Sequence, residues 1–538
     1  MSFGGGDSTP LEGVSLAGFY KPGEVGFSGW PEHNNQHRLG TLRDFGFDVS
    51  AYADAETKRT GNKWTGYSLV DDCHELIDGL IYEAKNSYDI KTASERIALA
   101  FQNLHKDLVL NNADIELLRV QGFRVLDQLK SRHNLINKEM HTIVNRFTHK
   151  DYWSKVLNKV LVRGIDDAIR ARGHVSKSQE SYISNVALNY FRIRQTNQKN
   201  QIDGMELVEV GNEDNKVPLA DIIEKSLANG ANRRAELMVR ISGMEEVAQD
   251  KNWTANFYTI TTPSKYHPTT SGRINKKYEG ATVRDSVDYL NKVWQKIRAE
   301  INRQTENQYF GVRVCEPHAD GTAHFHLLIF SDATEAETIT GIMRDYSIAE
   351  DREELRNDTT PRFDVVAMDK GRKATGYISK YVSKNIDGFG VDFDDENDLP
   401  AASSAERVIA WARIHGIRQF QTFGLPPIGI YRELRKLRKE QSGAMEYYER
   451  VRAAADASNY AEVITECWSN DFKLEKRRLF DPDTGEIFSN DPGDVVNRWG
   501  DLKEFAHVEG VSVDVLNVET LITRTTEWIL QVKDPQDF

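Results

Sequence analysis

Two histidines separated by one residue, His324 and His326, are the first feature of this sequence that could carry out chemistry. On a β-strand, residues i and i+2 point to the same face, so both imidazoles can bind one metal ion. Most histidine pairs of this kind are ordinary core or surface residues, and the pair alone is therefore weak evidence. A third ligand nearby would make the metal interpretation much stronger.

That third ligand depends on the turn that precedes the histidines. If residues 319–321 form a three-residue hairpin loop with the glycine in the left-handed conformation, Glu316 lies opposite His324 on the same face. A two-residue turn would instead place Glu316 opposite Phe325, on the wrong face. His318, one pair closer to the turn, is the less favoured alternative. One carboxylate and two imidazoles suit a divalent cation, Mg²⁺ or Mn²⁺, that also takes up a substrate oxygen.

A second candidate element is the segment YISKYVSK, residues 377–384. At helical spacing Tyr377 and Tyr381 lie on one face a turn apart, with Lys380 and Lys384 beside them. A phenol with a pKa near 10 is a weak nucleophile at neutral pH, but nearby lysines can favour the phenolate and position a phosphate. A divalent ion would stabilise the charge that develops on a phosphodiester. The ordinary alternative is a helix that packs two tyrosines into a core.

The elements around these residues predict an α+β fold. The pattern is helical from about 66 to 245 and then changes to strand, helix, two strands, helix, strand and helix between 256 and 385. This order implies a small domain with an antiparallel sheet flanked by helices, preceded by a large helical domain. We divide the chain into a loosely ordered arm (1–65), a helical domain (66–245), the domain with the candidate site (246–390), an acidic loop with an arginine/aromatic segment (391–445) and a mixed C-terminal region (446–538).

Composition narrows the class of protein. The chain has 538 residues, of which 39% are hydrophobic and 28% charged, and this predicts a soluble protein with several cores. Its three cysteines have no CxxC spacing, which excludes a disulfide scaffold and fits a reducing cytosol. No stretch approaches the ~18 apolar residues of a transmembrane helix, and the first residues lack a signal-peptide pattern.

The charge distribution predicts local contact with nucleic acid. A formal net charge of −13 is unlike that of a protein that coats duplex DNA by charge alone, so any DNA contact must be confined to one groove. Basic residues Lys370, Arg372 and Lys373 lead up to the tyrosines. A further set could clamp single-stranded DNA by charge and stacking, or could be an amphipathic core segment with solvated arginines. This set comprises Arg413, Arg418, Arg432 and Arg435 with Trp411, Phe420, Phe423 and Tyr431.

Three segments of the sequence resemble the three motifs of HUH endonucleases: NFYTITTPSKYHP, EPHADGTAHFHLLIF and YISKYVSK. Their order is that of the two-tyrosine replication initiators of bacteriophages. The resemblance is closer still to the replication gene A family of P2-like phages. It extends to NRRAELMVRISGMEEVA before the first motif and to WARIHGIRQFQTFGLPPIGIYRELRKL after the third, and covers roughly 150–440.

The resemblance implies a site-specific enzyme that nicks one origin strand through a tyrosine and becomes joined to the 5′ phosphate. The free 3′-OH then primes rolling-circle synthesis, and the partner tyrosine acts after one round to close the displaced strand. It assigns Tyr377 and Tyr381 as nucleophiles, with Tyr381 favoured for the first cut, and Lys380 and Lys384 as helpers.

In the same resemblance His324 and His326 are metal ligands, with Glu316 as the third. The implied partners are single-stranded origin DNA and, because no GxxxxGK[ST] motif occurs in the sequence, a host helicase and polymerase in the bacterial cytoplasm. The alternatives are a relaxase or transposase of the same chemistry, a metal-dependent hydrolase without a covalent step, and a non-catalytic DNA-binding replication or regulatory protein.

Overall fold

The structure is a computed structural model, and it divides the chain into two compact units: Met1–Ile165 with Arg498–Asp501, and Asp166–Asn497 with Leu502–Phe538. It describes residues 31–78, 89–131, 133–306, 308–368, 374–390, 393–394, 399–437, 446–479, 481, 484, 486–488, 495–513, 521–523 and 526–533. Across these ranges, no helix is both long and apolar enough to cross a bilayer.

The described part of the first unit is helical. Its helices are α1 (Pro31–Asp44), α2 (Ser50–Thr60), α3 (Lys63–Asp78), α4 (Ile90–Leu110), α5 (Glu116–Gln128), α6 (Met140–Phe147) and most of α7 (Lys150–Ala171). Asp89 starts α4 because its side chain accepts a hydrogen bond of 2.7 Å from the Thr92 amide. The core stacks Trp153 against Phe101 and Phe147, with ring centroids 5.4 and 5.6 Å apart.

Part of the predicted loosely ordered arm is helical. Helices α1 and α2 lie within residues 1–65, and they bury Leu42 and Tyr52, while Phe47 and Val49 are buried between them. The apolar residues of this segment are few and show no sustained helical period, yet these four side chains are buried. The residues before 31 lie outside the described part of the chain.

The second unit is mixed α and β. Its helices are α8 (Asn185–Asp203), α9 (Leu219–Lys225), α10 (Gly230–Asp250), α11 (Val283–Gln304), α12 (Ala336–Ser347), α13 (Ala374–Ile386), α14 (Ala401–His415), α15 (Ile428–Leu434), α16 (Glu446–Asp456) and α17 (Tyr460–Asn470). Its strands are β1 (Met205–Glu209), β2 (Asn212–Pro218), β3 (Thr254–Thr261), β4 (Thr269–Thr270), β5 (Arg273–Ile274), β6 (Tyr309–Pro317), β7 (Ala323–Ser331), β8 (Phe363–Met368), β9 (Phe393–Asp394), β10 (Leu399–Pro400), β11 (Phe420–Phe423), β12 (Phe472–Arg478), β13 (Phe505–Val513), β14 (Leu521–Ile522) and β15 (Trp528–Val532).

A five-stranded antiparallel sheet organises this unit, with strand order β11-β6-β7-β3-β8. Strands β6 and β7 are buried along their whole length. Their side chains alternate between the two faces, and residues of α10, α13 and α15–α17 join those of one face in a single core. Helix α11 packs on β7, and its N-cap residue Thr282 forms a capping box with Asp285.

The α+β class and the antiparallel central sheet agree with the sequence prediction, whereas the segment boundaries differ. The division between compact units falls at 165/166 rather than at 245/246. The region predicted to be helical contains the hairpin β1–β2, and β1 also pairs with β15 at the far end of the sequence. The predicted arginine/aromatic segment supplies α14 and the edge strand β11 of the central sheet. Pairing between segments so distant in sequence leaves no local pattern from which to predict it.

Candidate metal and tyrosine site

The sequence allowed two kinds of turn between β6 and β7, and the structure contains the three-residue loop. The His318 amide donates to the Thr322 carbonyl at 2.7 Å, and Gly321, with φ +78°, donates to the His318 carbonyl at 2.8 Å. Strand pairing therefore places Glu316 directly opposite His324. Since residues paired in this way share a face, the carboxylate and both imidazoles lie on the same side of the sheet.

Three buried residues far away in the sequence hold this loop. Arg170 donates from Nε to the Asp320 carbonyl at 2.7 Å, the Tyr182 amide donates to the Ala319 carbonyl at 2.9 Å, and Trp411 donates from Nε1 to the Gly321 carbonyl at 2.9 Å. None of the three was a predicted site residue in this role. Their hydrogen-bond partners are backbone carbonyls of the loop, and no pattern of residue types predicts such contacts.

Glu316, His324 and His326 form a buried cluster whose ligand atoms all lie within 4.8 Å of one another. The Nε2 atoms of the two histidines are 2.8 Å apart, and His326 Nε2 lies 3.8 Å from Glu316 Oε2. Burial lowers the pKa of both histidines well below its usual range, so both imidazoles are neutral at pH 7 and keep lone pairs. A donor set of two imidazole nitrogens and one carboxylate fits a divalent cation.

Further side chains orient these ligands. Thr259 Oγ1 lies 3.0 Å from His326 Nδ1, which leaves Nε2 to face the cluster when Nδ1 carries the proton. Asn385 donates from Nδ2 to Glu316 Oε1 at 2.6 Å and accepts at Oδ1 from Gln419 Nε2 at 2.9 Å. Thr259, Asn385 and Gln419 were not among the residues predicted from the sequence. Thr259 lies within the first HUH-like segment, which was the available signal.

His318 lies beside the cluster rather than in it. Its ring packs against that of His324 with centroids 4.1 Å apart, and burial lowers its pKa to about 3. Among the described residues, the group that can hold a metal consists of Glu316, His324 and His326. The structure thus favours Glu316 over His318 as the third ligand, as the sequence analysis did.

Helix α13 brings the two tyrosines to the same face of the sheet. The Tyr381 ring lies 4.3 Å from the His326 ring and 5.0 Å from Phe257, while Tyr377, a turn earlier, lies 4.8 Å from Phe257. The two phenol rings are 6.1 Å apart. Both are half-buried, so they line the edge of the cluster instead of filling the core completely.

The two lysines of α13 have different surroundings. Lys380 is exposed, and its Nζ lies 5.0 Å from the Tyr377 ring and 4.8 Å from the Tyr381 ring. Lys384 points to the other side of the site, where its Nζ is 3.8 Å from Glu316 Oε2 and 3.9 Å from Asp394 Oδ1. One lysine therefore neighbours both phenols, and the other neighbours the candidate metal carboxylate.

Comparison with known proteins connects this arrangement to one family. The model of the bacteriophage replication gene A protein family matches residues 100–389, more than half of the chain. The chain belongs to this family. The matched region contains the β6–β7 hairpin and α13, and therefore the candidate metal ligands and both tyrosines.

Individual relatives of the chain include phage and prophage proteins. It is 34% identical to the replication gene A protein of Escherichia phage 186 over 74% of its own length and 57% of that protein. The corresponding protein of Escherichia phage P2 is 33% identical over 74% of this chain and 53% of the relative. A probable replication endonuclease from a Salmonella typhimurium prophage-like region is 38% identical over 58% of this chain and 40% of the relative. The chain thus spans about half the length of the curated relatives it matches. No solved structure matches it.

The predicted DNA-binding residues divide into three groups. Lys370, Arg372 and Lys373 lie outside the described residues. Arg432 forms an ion pair with Glu236, with Nη2 2.6 Å from Oε1, and Arg435 packs over the Tyr431 ring. The two remaining arginines, Arg413 and Arg418, are exposed.

Three of the four aromatic residues of this segment fit the amphipathic core segment that the sequence left open as the alternative to stacking on DNA. Trp411, Phe423 and Tyr431 are buried, and Trp411 holds the β6–β7 loop instead of facing solvent. Phe420 alone among the four is half-buried. The alternation with arginines came from an amphipathic segment whose aromatic face packs into the core.

Proposed function

We propose that the chain is a site-specific, metal-dependent single-strand endonuclease of the HUH type that initiates phage DNA replication by nicking the origin. The observation that carries this proposal is the position of Tyr381, whose ring lies 4.3 Å from His326 in the buried Glu316-His324-His326 cluster. A phenol beside a candidate divalent-cation site suits transfer of a phosphodiester to tyrosine.

In the proposed reaction, the Tyr381 oxygen attacks the scissile phosphorus and the bond from phosphorus to the 3′ oxygen breaks. The phenol proton leaves as the new bond forms, and the 3′ oxygen acquires a proton, so the products are a 5′-phosphotyrosine ester and a free 3′-OH. Lys380, whose Nζ lies 4.8 Å from the Tyr381 ring, stabilises the phenolate through its positive charge. The phosphotyrosine ester conserves the bond energy of the cleaved phosphodiester, and this later permits the strand to be rejoined.

Residues Glu316, His324 and His326 would hold the cation, Mg²⁺ or Mn²⁺, which supplies electrostatic stabilisation of the negative charge on the phosphate oxygens. Asn385 and Thr259 keep the carboxylate and the His326 ring in place through their hydrogen bonds. Lys384, near Glu316, completes the positive surroundings of the phosphate.

Tyr377 provides the second transfer of the proposed cycle. It lies one helical turn from Tyr381, with the rings 6.1 Å apart, and Lys380 neighbours it too. While one tyrosine stays bonded to the 5′ end, the other can cut the regenerated origin, and the free 3′-OH then attacks the first phosphotyrosine to close a circle. We assign the first cut to Tyr381 because it is the one in contact with His326.

The proposed substrate is single-stranded DNA at the phage origin. Lys370, Arg372, Lys373, Arg413, Arg418, Arg432 and Arg435 are the proposed contacts to its backbone. A host helicase would supply unwinding, because the sequence contains no GxxxxGK[ST] motif for ATP-driven unwinding, and a host polymerase would extend the free 3′-OH. The proposed place of action is the cytoplasm of the bacterial host.

The test uses the purified chain with a supercoiled plasmid carrying its own gene and with single-stranded oligonucleotides tiled from that gene. Reactions contain Mg²⁺, Mn²⁺ or EDTA and are run on SDS gels with and without protease. We expect a metal-dependent nick with protein joined to the 5′ end. The double variant Tyr377→Phe/Tyr381→Phe should lose the adduct but retain DNA binding, while the control Tyr346→Phe should behave like the parent chain.

The other outcomes identify the alternative functions. Cut DNA without attached protein would indicate a hydrolase without a covalent step. Binding without cleavage on either substrate would indicate a non-catalytic DNA-binding protein. Covalent cleavage confined to hairpin ends of a mobile element would indicate a transposase.

A further inference from the structure

A pocket rich in arginine lies beside the edge strand of the central sheet. It has a volume of about 350 Å³ and receives residues from α10, the end of α14, β11 and α15. Five arginines and one acidic residue line it, and we call it the arginine pocket. These residues are Arg233, Arg240, Arg413, Arg418, Arg432 and Glu236.

Glu236, the acidic residue of the pocket, forms ion pairs with two of these arginines. Its carboxylate accepts from Arg432 Nε at 3.1 Å and from Arg432 Nη2 at 2.6 Å, and Arg240 Nη1 lies 4.0 Å away. For Arg233, Arg413 and Arg418, the described residues provide no ion-pair partner within that distance. The pocket therefore carries an excess of positive charge that its own lining does not balance.

The guanidinium groups also have unused hydrogen-bonding capacity. The Nε atoms of Arg233 and Arg240 are buried and have no hydrogen-bond partner among the described residues. Burial, together with the nearby charge of Arg413, lowers the pKa of Arg233, as expected where like charges crowd. An anion with several oxygen acceptors would balance this charge and accept hydrogen bonds from the guanidinium groups that line the pocket. A phosphate matches best because the planar guanidinium fork binds it through two hydrogen bonds.

The pocket is linked to the candidate metal cluster through Gln419. This residue lines the pocket and donates to Asn385 Oδ1 at 2.9 Å, and Asn385 in turn donates to Glu316 Oε1 at 2.6 Å. Two hydrogen bonds therefore separate the pocket lining from a candidate metal ligand. A strand engaged at the cluster would have further phosphates to either side, and the pocket offers them positive charge.

We propose that the arginine pocket binds a backbone phosphate of the DNA strand at a distance from the cleaved bond. This inference rests on the proposed function, because it requires that the chain binds single-stranded DNA. It adds Arg233 and Arg240 of α10 to the binding residues and assigns them, with Arg413 and Arg418, to one phosphate site. A free nucleotide carries the same phosphate chemistry, so the test must separate the two sources.

The test measures binding of a fluorescein-labelled single-stranded oligonucleotide from the gene by anisotropy, in EDTA, so that cleavage plays no part. The variant Arg233→Gln/Arg413→Gln removes two charges that repel each other. The matched control, Arg344→Gln/Arg352→Gln, removes two exposed arginines outside the pocket. Circular dichroism verifies that each variant is folded, and Arg418→Gln, at an exposed position, serves as a second pocket variant.

We expect the pocket variant to bind about tenfold more weakly, irrespective of sequence, with a slope of log K against log[salt] that is smaller by about 0.7 for one lost phosphate contact. The control should keep both the affinity and the slope of the parent. A pocket variant that binds as tightly as the parent overturns the inference but leaves the proposed function intact. Absence of strand binding by the parent itself would instead contradict the proposed function.

Labelled dAMP provides the second arm. Loss of dAMP binding in the pocket variant, with oligonucleotide binding unchanged, would overturn the strand assignment in favour of a free nucleotide. Weak dAMP binding that falls in parallel with oligonucleotide binding supports a phosphate site for the strand.

Discussion

The side chains of the candidate cluster differ in how far they can be predicted from the sequence. The candidate ligands Glu316, His324 and His326 could be named from spacing once the turn was specified. The residues that orient them, Thr259, Asn385 and Gln419, come from other segments and form ordinary hydrogen bonds. Each of these polar side chains has many alternative partners in an unfolded chain, so only the folded structure selects them.

At the residue scale, Thr259→Val tests the support of His326. Valine has nearly the same shape but cannot form a hydrogen bond with Nδ1, so the ring loses its fixed orientation. We expect Mn²⁺ affinity to fall roughly 10- to 100-fold, measured by isothermal titration calorimetry. Thr254→Val on the same strand is the control, since its hydroxyl contacts the Ser331 carbonyl instead. Unchanged affinity in Thr259→Val would show that this hydrogen bond does not position the ring.

Lys384 provides a second test at this scale. Its Nζ lies 3.8 Å from Glu316 Oε2, so Lys384→Met removes a positive charge beside a buried carboxylate. A bound divalent cation is then no longer repelled by the lysine ammonium, so we expect Mn²⁺ binding to be retained or tighter. Adduct formation should fall at least about tenfold, because the lysine no longer helps to neutralise the phosphate. Lys380→Met is the comparison, and there adduct formation should fall without a change in Mn²⁺ affinity. Loss of metal binding in Lys384→Met would mean that the lysine supports the cluster itself.

Among the secondary-structure elements, the β6–β7 hairpin is the one whose register brings Glu316 next to His324 and His326. The sequence limited its register to two alternatives, and the structure has the three-residue loop with Gly321 in the left-handed conformation; a one-residue shift would have moved Glu316 to the other face. The contacts from Arg170, Tyr182 and Trp411 were not predictable, because they join the loop to residues distant in sequence.

Gly321→Ala tests this hairpin. The new Cβ would lie 3.0 Å from the Tyr182 carbonyl oxygen in a backbone with φ +78°. We expect the free energy of unfolding to fall by about 1–2 kcal/mol, measured by urea denaturation, together with weaker Mn²⁺ binding. In the control Gly341→Ala, on α12, the Cβ meets nothing within 4 Å, and this change should raise the stability by about 0.5–1 kcal/mol. Equal effects of the two changes would argue against a constrained loop.

On the scale of the whole molecule, the chain consists of two compact units, and the cluster lies in the second. The sequence predicted a different division because helical periodicity continues past residue 166 and conceals where one core ends. Helix α7 itself contains this boundary. Strand pairing of β1 with β15 and of β6 with β11 shows how much of the second unit depends on distant segments.

Two units predict two unfolding transitions in differential scanning calorimetry. Because a ligand stabilises only the unit that binds it, Mn²⁺ at about 100 times its Kd should stabilise one transition by about 2.7 kcal/mol and leave the other unchanged. The variant His326→Gln should abolish this shift. A single transition, or two that shift together, would contradict the assignment of the metal site to one independent unit.

The central claim is that a tyrosine of α13 becomes bonded to DNA, and the most direct measurement is identification of the modified peptide. Trypsin cleaves after Lys373, Lys380 and Lys384 and thus separates Tyr377 from Tyr381. After reaction with the cleavable oligonucleotide and nuclease trimming, mass spectrometry should find a nucleotide phosphate on residues 381–384 in the first turnover. A phosphate on residues 374–380 would reverse the order of the two tyrosines. Cleaved DNA with both peptides unmodified would contradict the account.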